Sequence, residues 1–447
     1  MKNNLVKIKF TPVRILAIGF GLIMLSGAML LTLPIASALG EKTPFIDALF
    51  MSASAVCVTG LTTLDTGVYW SYFGKTVIIV LIQIGGLGFM SFATLIAVML
   101  GKKITLRERL VMQEAMSSFG LQGLIKLARY IIIFTFVIEG IGATLLATRF
   151  IPEFGFKKGV YYSIFHAIAA FCNSGVDLLG DFKSLMPYYD DITIILTISA
   201  LIIVGGLGFP VWHEIYVNKR LKRMSLHSKV ALLTTVTLIV LGTILIFLFE
   251  YNNLGTMGSM NIKDKLLSSF FSSVSLRTAG YSSISVRDMT MAGIFLTTIL
   301  MFIGGSPGST AGGIKTTTLA TILFTIVSFI KGKDDTEIFK KRVAKDSVHK
   351  AFIVSILGFI LVTVVTMILS LTEKGVSFQY LLYEATSAFG TTGLTLGLTT
   401  ELSFIGKCII LITMYLGRLG PIMVVLSVAR NTKANPIKYP EDKILIG

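Results

Sequence analysis

Four stretches of this sequence place a glycine behind a short apolar run and among small polar residues. They are FMSASAVCVTGL (50–61), FHAIAAFCNSGV (165–176), FFSSVSLRTAGY (270–281) and YEATSAFGTTGL (383–394). Aligned on Gly60, Gly175, Gly280 and Gly393, each has an aromatic ten residues earlier (Phe50, Phe165, Phe270, Tyr383). Each also has a small residue directly before the glycine (Thr59, Ser174, Ala279, Thr392). The four share no nucleophile, acid or metal-ligating side chain, so their common chemistry is that of the backbone. Glycine reaches positive φ and can turn successive carbonyls toward one side. Rings of such carbonyls replace the water shell of a dehydrated monovalent cation. One string alone reads as a glycine that lets membrane helices approach; four in register read as quarters of one cation path.

The elements that position them repeat as well. The glycines are spaced by 115, 105 and 113 residues, and a second marker follows each: IGGLGF at Gly85, VGGLGFP at Gly205, IGGSPG at Gly304 and LGRLGP at Gly417. Two markers in register define an internal fourfold repeat, with units at 1–101, 102–218, 219–332 and 333–430 and a tail at 431–447. Each unit reads as a membrane helix, a short apolar helix of about 12 residues, too few to span, the glycine stretch, and a second membrane helix. The expected fold is an all-α polytopic membrane protein. Four helix–short helix–helix repeats surround one pore, giving eight spanning helices and four re-entrant ones. Irregular backbone at membrane depth is tolerated where protein buries it or water lines it. A short helix ending there aims its negative dipole end at a cation.

Composition agrees. The 447 residues are 53% hydrophobic and 14% charged, with a mean hydropathy of +0.80, whereas soluble domains carry about 25% charged residues. Ile15–Leu33, Thr76–Leu100, Ile192–Val217 and Ser347–Leu371 each run to about the 20 residues that cross a bilayer, or beyond. The first reads as a retained helix rather than a signal peptide, because its apolar run is long and ends at Pro34. The net charge of +16 is concentrated in 1–14, 101–129, 218–229, 331–350 and 430–447, while the alternate connections are near neutral. The positive-inside rule then makes both termini and the three basic loops cytoplasmic. This alternation, rather than nucleic-acid binding, accounts for the basic residues. Cys57, Cys172 and Cys408 have neither disulfide-framework nor metal-site spacing.

The third unit is interrupted by GGSPGSTAGGIKTTT (304–318), with five glycines and a proline between Gly304 and Gly313. No helix continues through that. Gly304, Gly305, Ser306, Pro307, Gly308, Ser309, Thr310, Gly312 and Gly313 read as an intramembrane loop projecting into the path below the glycine strings. Lys315 and Arg418 are cations near membrane depth, which usually pair or mark a pathway. Arg418 falls where other units have Gly86, Gly206 and Gly305, and reads as an electrostatic barrier contacting the loop carbonyls. Glu139, within an apolar helix, calls for a buried partner that the sequence does not identify. His166 reads as a structural hydrogen-bonder, and Asp177 and Asp181 as cation-attracting groups at the outer mouth.

The strings CVTGL, CNSGV, RTAGY and GTTGL, the GGLGF markers and IGGSPGSTAGGIKT together resemble the Trk/Ktr/HKT superfamily of potassium transporters, over about Arg14–Arg430. Within it the chain is similar to the membrane subunit of bacterial Ktr systems (the KtrB/KtrD type). The resemblance implies potassium uptake across the bacterial plasma membrane, often sodium-stimulated, with no covalently bound cofactor. It assigns filter roles, with K+ as the bound ion, to Val58, Thr59, Gly60, Asn173, Ser174, Gly175, Thr278, Ala279, Gly280, Thr391, Thr392 and Gly393. Arg277 becomes a brace behind the filter, and 304–313 a gating loop. Some plant relatives with serine at the first glycine prefer sodium; Gly60 points to potassium. The resemblance also implies a homodimer, each protomer with its own pore, docked on a ring of cytosolic nucleotide-binding RCK subunits (KtrA/KtrC type). The nucleotide is expected on that partner.

Two rival readings are a less selective Na+/K+ channel and an ion-coupled secondary carrier of another small solute, for which Glu139 is the main coupling acid. An embedded enzyme has no HExxH, GxSxG or paired-carboxylate constellation to support it.

Overall fold

The structure, a computed structural model, describes residues 12–88 and 124–420 together with positions 440 and 442. The N-terminal lysines, the basic segment up to residue 123, the unit boundary at 101/102, Arg430 and nearly all of the 431–447 tail lie outside the described residues.

Long apolar runs form long helices. α1 (Pro12–Leu31), α4 (Leu124–Phe154), α8 (Leu226–Glu250) and α12 (Lys345–Thr372) are each the first helix of a unit. At 1.5 Å per residue the 28 residues of α12 extend about 42 Å, beyond the roughly 30 Å of a bilayer core. Among the described residues these four contain the stretches long and apolar enough to cross a membrane. The short helices between them are α2 (Phe45–Cys57), α5 (Phe156–Phe171), α9 (Ile262–Ser275) and α13 (Phe378–Gly390), of 13 to 16 residues and largely buried.

The second helices are bent in the second unit and interrupted in the third. α3 (Tyr72–Leu87) and α14 (Phe404–Leu419) end at Gly88 and Gly420, and α6 (Ile192–Leu207) ends at Gly208, all three glycines at positive φ. After Gly208 the chain turns by 92° into α7 (Phe209–Asn218). Pro210 in the first turn of α7 cannot donate a bond back into α6, so Ile192–Val217 is a bent pair rather than one rod. In the third unit α10 (Met291–Phe302) and α11 (Thr316–Ile330) are separated by residues 303–315. By length and composition alone, the described residues hold four candidate spans, or five with the bent pair; much of the expected Thr76–Leu100 span lies outside the described residues. A two-stranded hairpin, β1 (Glu337–Ile338) and β2 (Lys341–Arg342), joins α11 to α12.

The contacts between units run in one direction: α3 packs on α5, α6 on α9, α10 on α13, and α14 back on α2. Within the units, glycines at the markers let the second helix approach the short one. A side chain at Gly85, Gly205 or Gly417 would overlap the carbonyl oxygens of Val56, Phe171 or Phe389, at the ends of the short helices.

A carboxylate ties the two long helices together in the third and fourth units. Glu250, fully buried at the end of α8, accepts bonds from Thr290 N and Oγ1 (2.9 and 2.8 Å), Thr256 Oγ1 (2.8 Å) and Asn253 Nδ2 (2.6 Å). Glu373 does the same for Ser403 N and Oγ (3.0 and 2.6 Å). Removing such an acceptor leaves buried donors without partners, so Glu250→Ala is expected to lower stability by about 2–3 kcal/mol, read as a lower unfolding midpoint in detergent.

Candidate cation-coordination site

Each short helix ends in a turn of the same unusual kind. Two residues before the glycine the backbone enters the left-handed region: Val58 (φ 56°), Asn173 (60°), Thr278 (67°) and Thr391 (50°). The glycines themselves have φ of 93°, 65°, 79° and 89°. Three of the four non-glycine residues are β-branched, for which this conformation is strained. Strain of this kind persists only where the surroundings over-determine it. The surroundings here are backbone bonds: Thr59, Ser174, Ala279 and Thr392 N–H groups donate back to Ser54, Ala169, Ser275 and Ser387 carbonyls at 2.8–2.9 Å. In the first and fourth segments Ser54 Oγ and Ser387 Oγ also accept from the glycine N–H groups at 3.0 and 3.1 Å. Nothing in the sequence singled out those two serines; the signal is a serine six residues before the glycine, which the second and third units lack (Ala169, Val274).

With the N–H groups turned back, the carbonyls are left over. Among the described residues no hydrogen bond is donated to the carbonyl oxygens of Thr59, Ser174, Ala279 or Thr392. The four segments meet in cyclic order. A side chain at Gly60 would overlap the Ser174 carbonyl oxygen, one at Gly175 that of Ala279, one at Gly280 that of Thr392, and one at Gly393 that of Thr59. All twelve residues from the four strings are therefore brought together. Among the described residues no group of three or more His, Cys, Asp or Glu side chains gathers to hold a metal.

The 303–315 segment lies against these turns. A side chain at Gly312 would overlap Thr391 Oγ1, and one at Gly304 would come within 3.1 Å of Thr278 Cγ2. Its backbone is tied to α6 and the start of α7: Ser306 N donates to Gly206 O (2.9 Å), Thr310 N to Gly205 O (3.3 Å), and Phe209 N to Gly308 O (2.9 Å). Thr310 Oγ1 reaches Phe171 O and Asn173 Oδ1, both at 3.2 Å. Ser306 Oγ pairs with Thr316 Oγ1 (2.8 Å), and Ser309 Oγ accepts from Ala311 N (3.3 Å). Lys315 Nζ donates to Ala311 O (2.6 Å) and Gly312 O (3.2 Å). Arg418 donates to Thr310 O in the loop and to Gly85 O and Gly86 O of α3, bridging three units.

Arg277 is buried; its Nη1 donates to Thr235 O of α8 (3.1 Å) and its carbonyl accepts from Asn173 Nδ2 (3.3 Å). The buried partner sought for Glu139 is Gln83, whose Nε2 donates to Glu139 Oε2 at 3.3 Å. Among the described residues Glu139 makes no salt bridge and its Oε1 has no partner. His166 bonds Tyr162 O (2.7 Å) and accepts from Leu178 N (3.3 Å), a structural arrangement. Asp181 is exposed and paired with Lys183 at 2.9 Å. Asp177 lines a small cavity with Gly60, Gly175 and Asp65, the last a residue sequence reasoning passed over. Burial pushes the Asp177 carboxyl up to about 6, and the nearby Asp65 charge adds to the rise, against a bond from Leu179 N (2.9 Å).

The TrkH family profile, described as a cation transport protein, matches residues 19–436. The chain belongs to the TrkH family. This is a family of cation transporters rather than of enzymes, and membership together with the apolar helices makes the chain a membrane protein. Two relatives align over the whole of this TrkH-family chain and 99% of their own length. The potassium/sodium uptake protein NtpJ of Enterococcus hirae is 46% identical, and the Ktr system potassium uptake protein B of Bacillus subtilis 43%. The crystal structure of the potassium transporter TrkH from Vibrio parahaemolyticus has the same fold, with a TM-score of 0.74. It covers 96% of this chain and 87% of its own at 16% identity.

Proposed function

We propose that this TrkH-family chain is the membrane subunit of a potassium uptake system. Val58–Gly60, Asn173–Gly175, Thr278–Gly280 and Thr391–Gly393 then form the quarters of one carbonyl filter, in a pore of four helix–short helix–helix repeats. The observation that carries this is the set of four carbonyl oxygens without donors, each beside the glycine of a neighbouring segment. Unpaired buried carbonyls are costly, and a dehydrated cation offsets that cost. Relatives named for potassium uptake support the choice of ion.

In this reading K+ is the substrate and Na+ an activator. Residues 304–313 gate the path, Lys315 and Arg418 hold the gate and place positive charge beneath the filter, and Arg277 braces it. The basic ends face the cytoplasm of a bacterial cell. The chain works as a homodimer on a nucleotide-binding RCK-type ring, with the nucleotide on that partner. The experiment is rubidium-86 uptake into proteoliposomes with K+ or Na+ as competitor. Block by K+ and not by Na+ is the expected result. Equal block by both favours the less selective Na+/K+ path, which the name of the Enterococcus relative recommends as the second reading. Uptake indifferent to both returns the secondary carrier.

Asp177 supplies a pH dependence. Its value of about 6 lies above the ordinary carboxylate range, so it is charged at pH 7.5 and neutral at pH 5. For the same reason it opposes stability as pH rises through its native value. Acidifying the outer face from 7.5 to 5 is expected to lower uptake at sub-saturating K+ about two- to threefold by removing an attracting charge. Asp177→Asn should show the low rate at both pH values.

A further inference from the structure

A second cavity lies away from the ion path, between α8, α11 and α12. It is about 430 Å³ and opens where α8 and α12 begin. Arg342, Lys350 and His227, with the hydroxyls of Thr317, Thr318, Thr321 and Ser347, contribute its polar lining, and no carboxylate lines it. Among the described residues Lys350 makes no ion pair. Arg342 pairs with Asp335 at 3.1 Å, with 71% of its side chain exposed, and such exposed pairs are worth little. The hairpin that carries Arg342 is fixed in place: Ile338 packs with Val230 and Ala320, and Glu337 N donates to Ser328 Oγ at 3.2 Å. Apolar side chains, Val230, Ala351 and Val354 among them, make up much of the rest of the wall. Val354 lies about 6 Å further along α12 than Lys350.

Two cations and several hydroxyls beside aliphatic side chains thus line a cavity bounded by two membrane-length helices. It matches the layout of a phospholipid at the polar boundary of a bilayer. Basic pockets between membrane helices hold anionic headgroups in this way. We propose that the cavity is a site for one anionic phospholipid, its phosphate between Arg342 and Lys350 and its first acyl carbons along Val230 and Val354. Thr318 and Thr321 of the same wall belong to α11, which starts directly after the 303–315 segment and is tied to it by Thr316 N to Gly305 O (3.0 Å). A bound headgroup therefore steadies the helix that follows the loop. This goes beyond the filter reading and does not depend on the ion selected.

The test measures thermal unfolding of the full chain in phosphatidylcholine nanodiscs, with or without phosphatidylglycerol, and separately with free glycerol phosphate. Phosphatidylglycerol is expected to raise the midpoint by about 3–5 °C. Arg342→Gln with Lys350→Gln, folded as wild type in phosphatidylcholine, should lose that shift, and Lys350→Arg should keep it. Rubidium uptake in wild type should be about threefold higher with phosphatidylglycerol and equal in both lipids for the double variant. An undiminished shift in the double variant, or loss of the shift in Lys350→Arg, overturns the site. A shift reproduced by free glycerol phosphate overturns the lipid assignment in favour of a soluble anion. Because unfolding is read without transport, failure of the filter leaves this result intact.

Discussion

Gly60→Ser is expected to cost this chain its discrimination of K+ against Na+ by about tenfold or more, with total uptake reduced. Gly60 stands at φ 93°, where a side chain is strained whatever the space. There is no space either: a Cβ overlaps the Ser174 carbonyl oxygen. The serine is therefore accommodated only by moving the Ser174 carbonyl, one of the four oxygens without a donor. Discrimination between two cations of equal charge depends on the number and placement of such dipoles. A loss of about 1.4 kcal/mol in relative binding is already a tenfold change. The check is the ratio of K+ to Na+ concentrations that half-block rubidium uptake, wild type beside variant. An unchanged ratio would mean that the oxygen next to Gly60 does not face the ion.

Arg418→Gln is the second large effect, and of opposite sign: uptake is expected to rise several-fold while K+ preference stays. The guanidinium donates to Thr310 O of the 303–315 segment and to two carbonyls of α3. It thus holds the segment against the first unit and keeps a full positive charge beneath the turns. Glutamine has two donors in place of five and no charge. Lys315, bonded within the segment to Ala311 O and Gly312 O, remains to hold its local shape. A rise in uptake with the K+/Na+ ratio of wild type separates a barrier below the filter from a part of the filter. A fall in both would place Arg418 among the residues that build the site.

Much of this was legible in the sequence because it is written in spacing. Four glycines and four markers in register, with alternating basic segments, gave the helical membrane class and the family without coordinates. Spacing could not give the left-handed turns at Val58, Thr278 and Thr391. β-Branched residues argue against that conformation, and the backbone bonds that hold it, back to Ser54, Ser275 and Ser387, show only in the folded turn. Nor could it give Gln83 as the partner of Glu139, because 56 residues separate them and neither sits in a motif. Apolar length did not show the bend in the second unit, where Gly208 at positive φ and Pro210 turn the chain. Contacts to the interrupted segment were foreseen for Arg418 from its place in the repeat. Its bonds to Gly85 and Gly86 were not, since they depend on which units adjoin.

The central claim is that a dehydrated monovalent cation sits among the carbonyl oxygens of Thr59, Ser174, Ala279 and Thr392. Crystals of the purified chain grown in rubidium, with anomalous scattering recorded at the rubidium edge, test it most directly. The account predicts an anomalous peak on the axis between those four oxygens that disappears when K+ replaces Rb+. No peak there, or a peak at Glu139 instead, would contradict it.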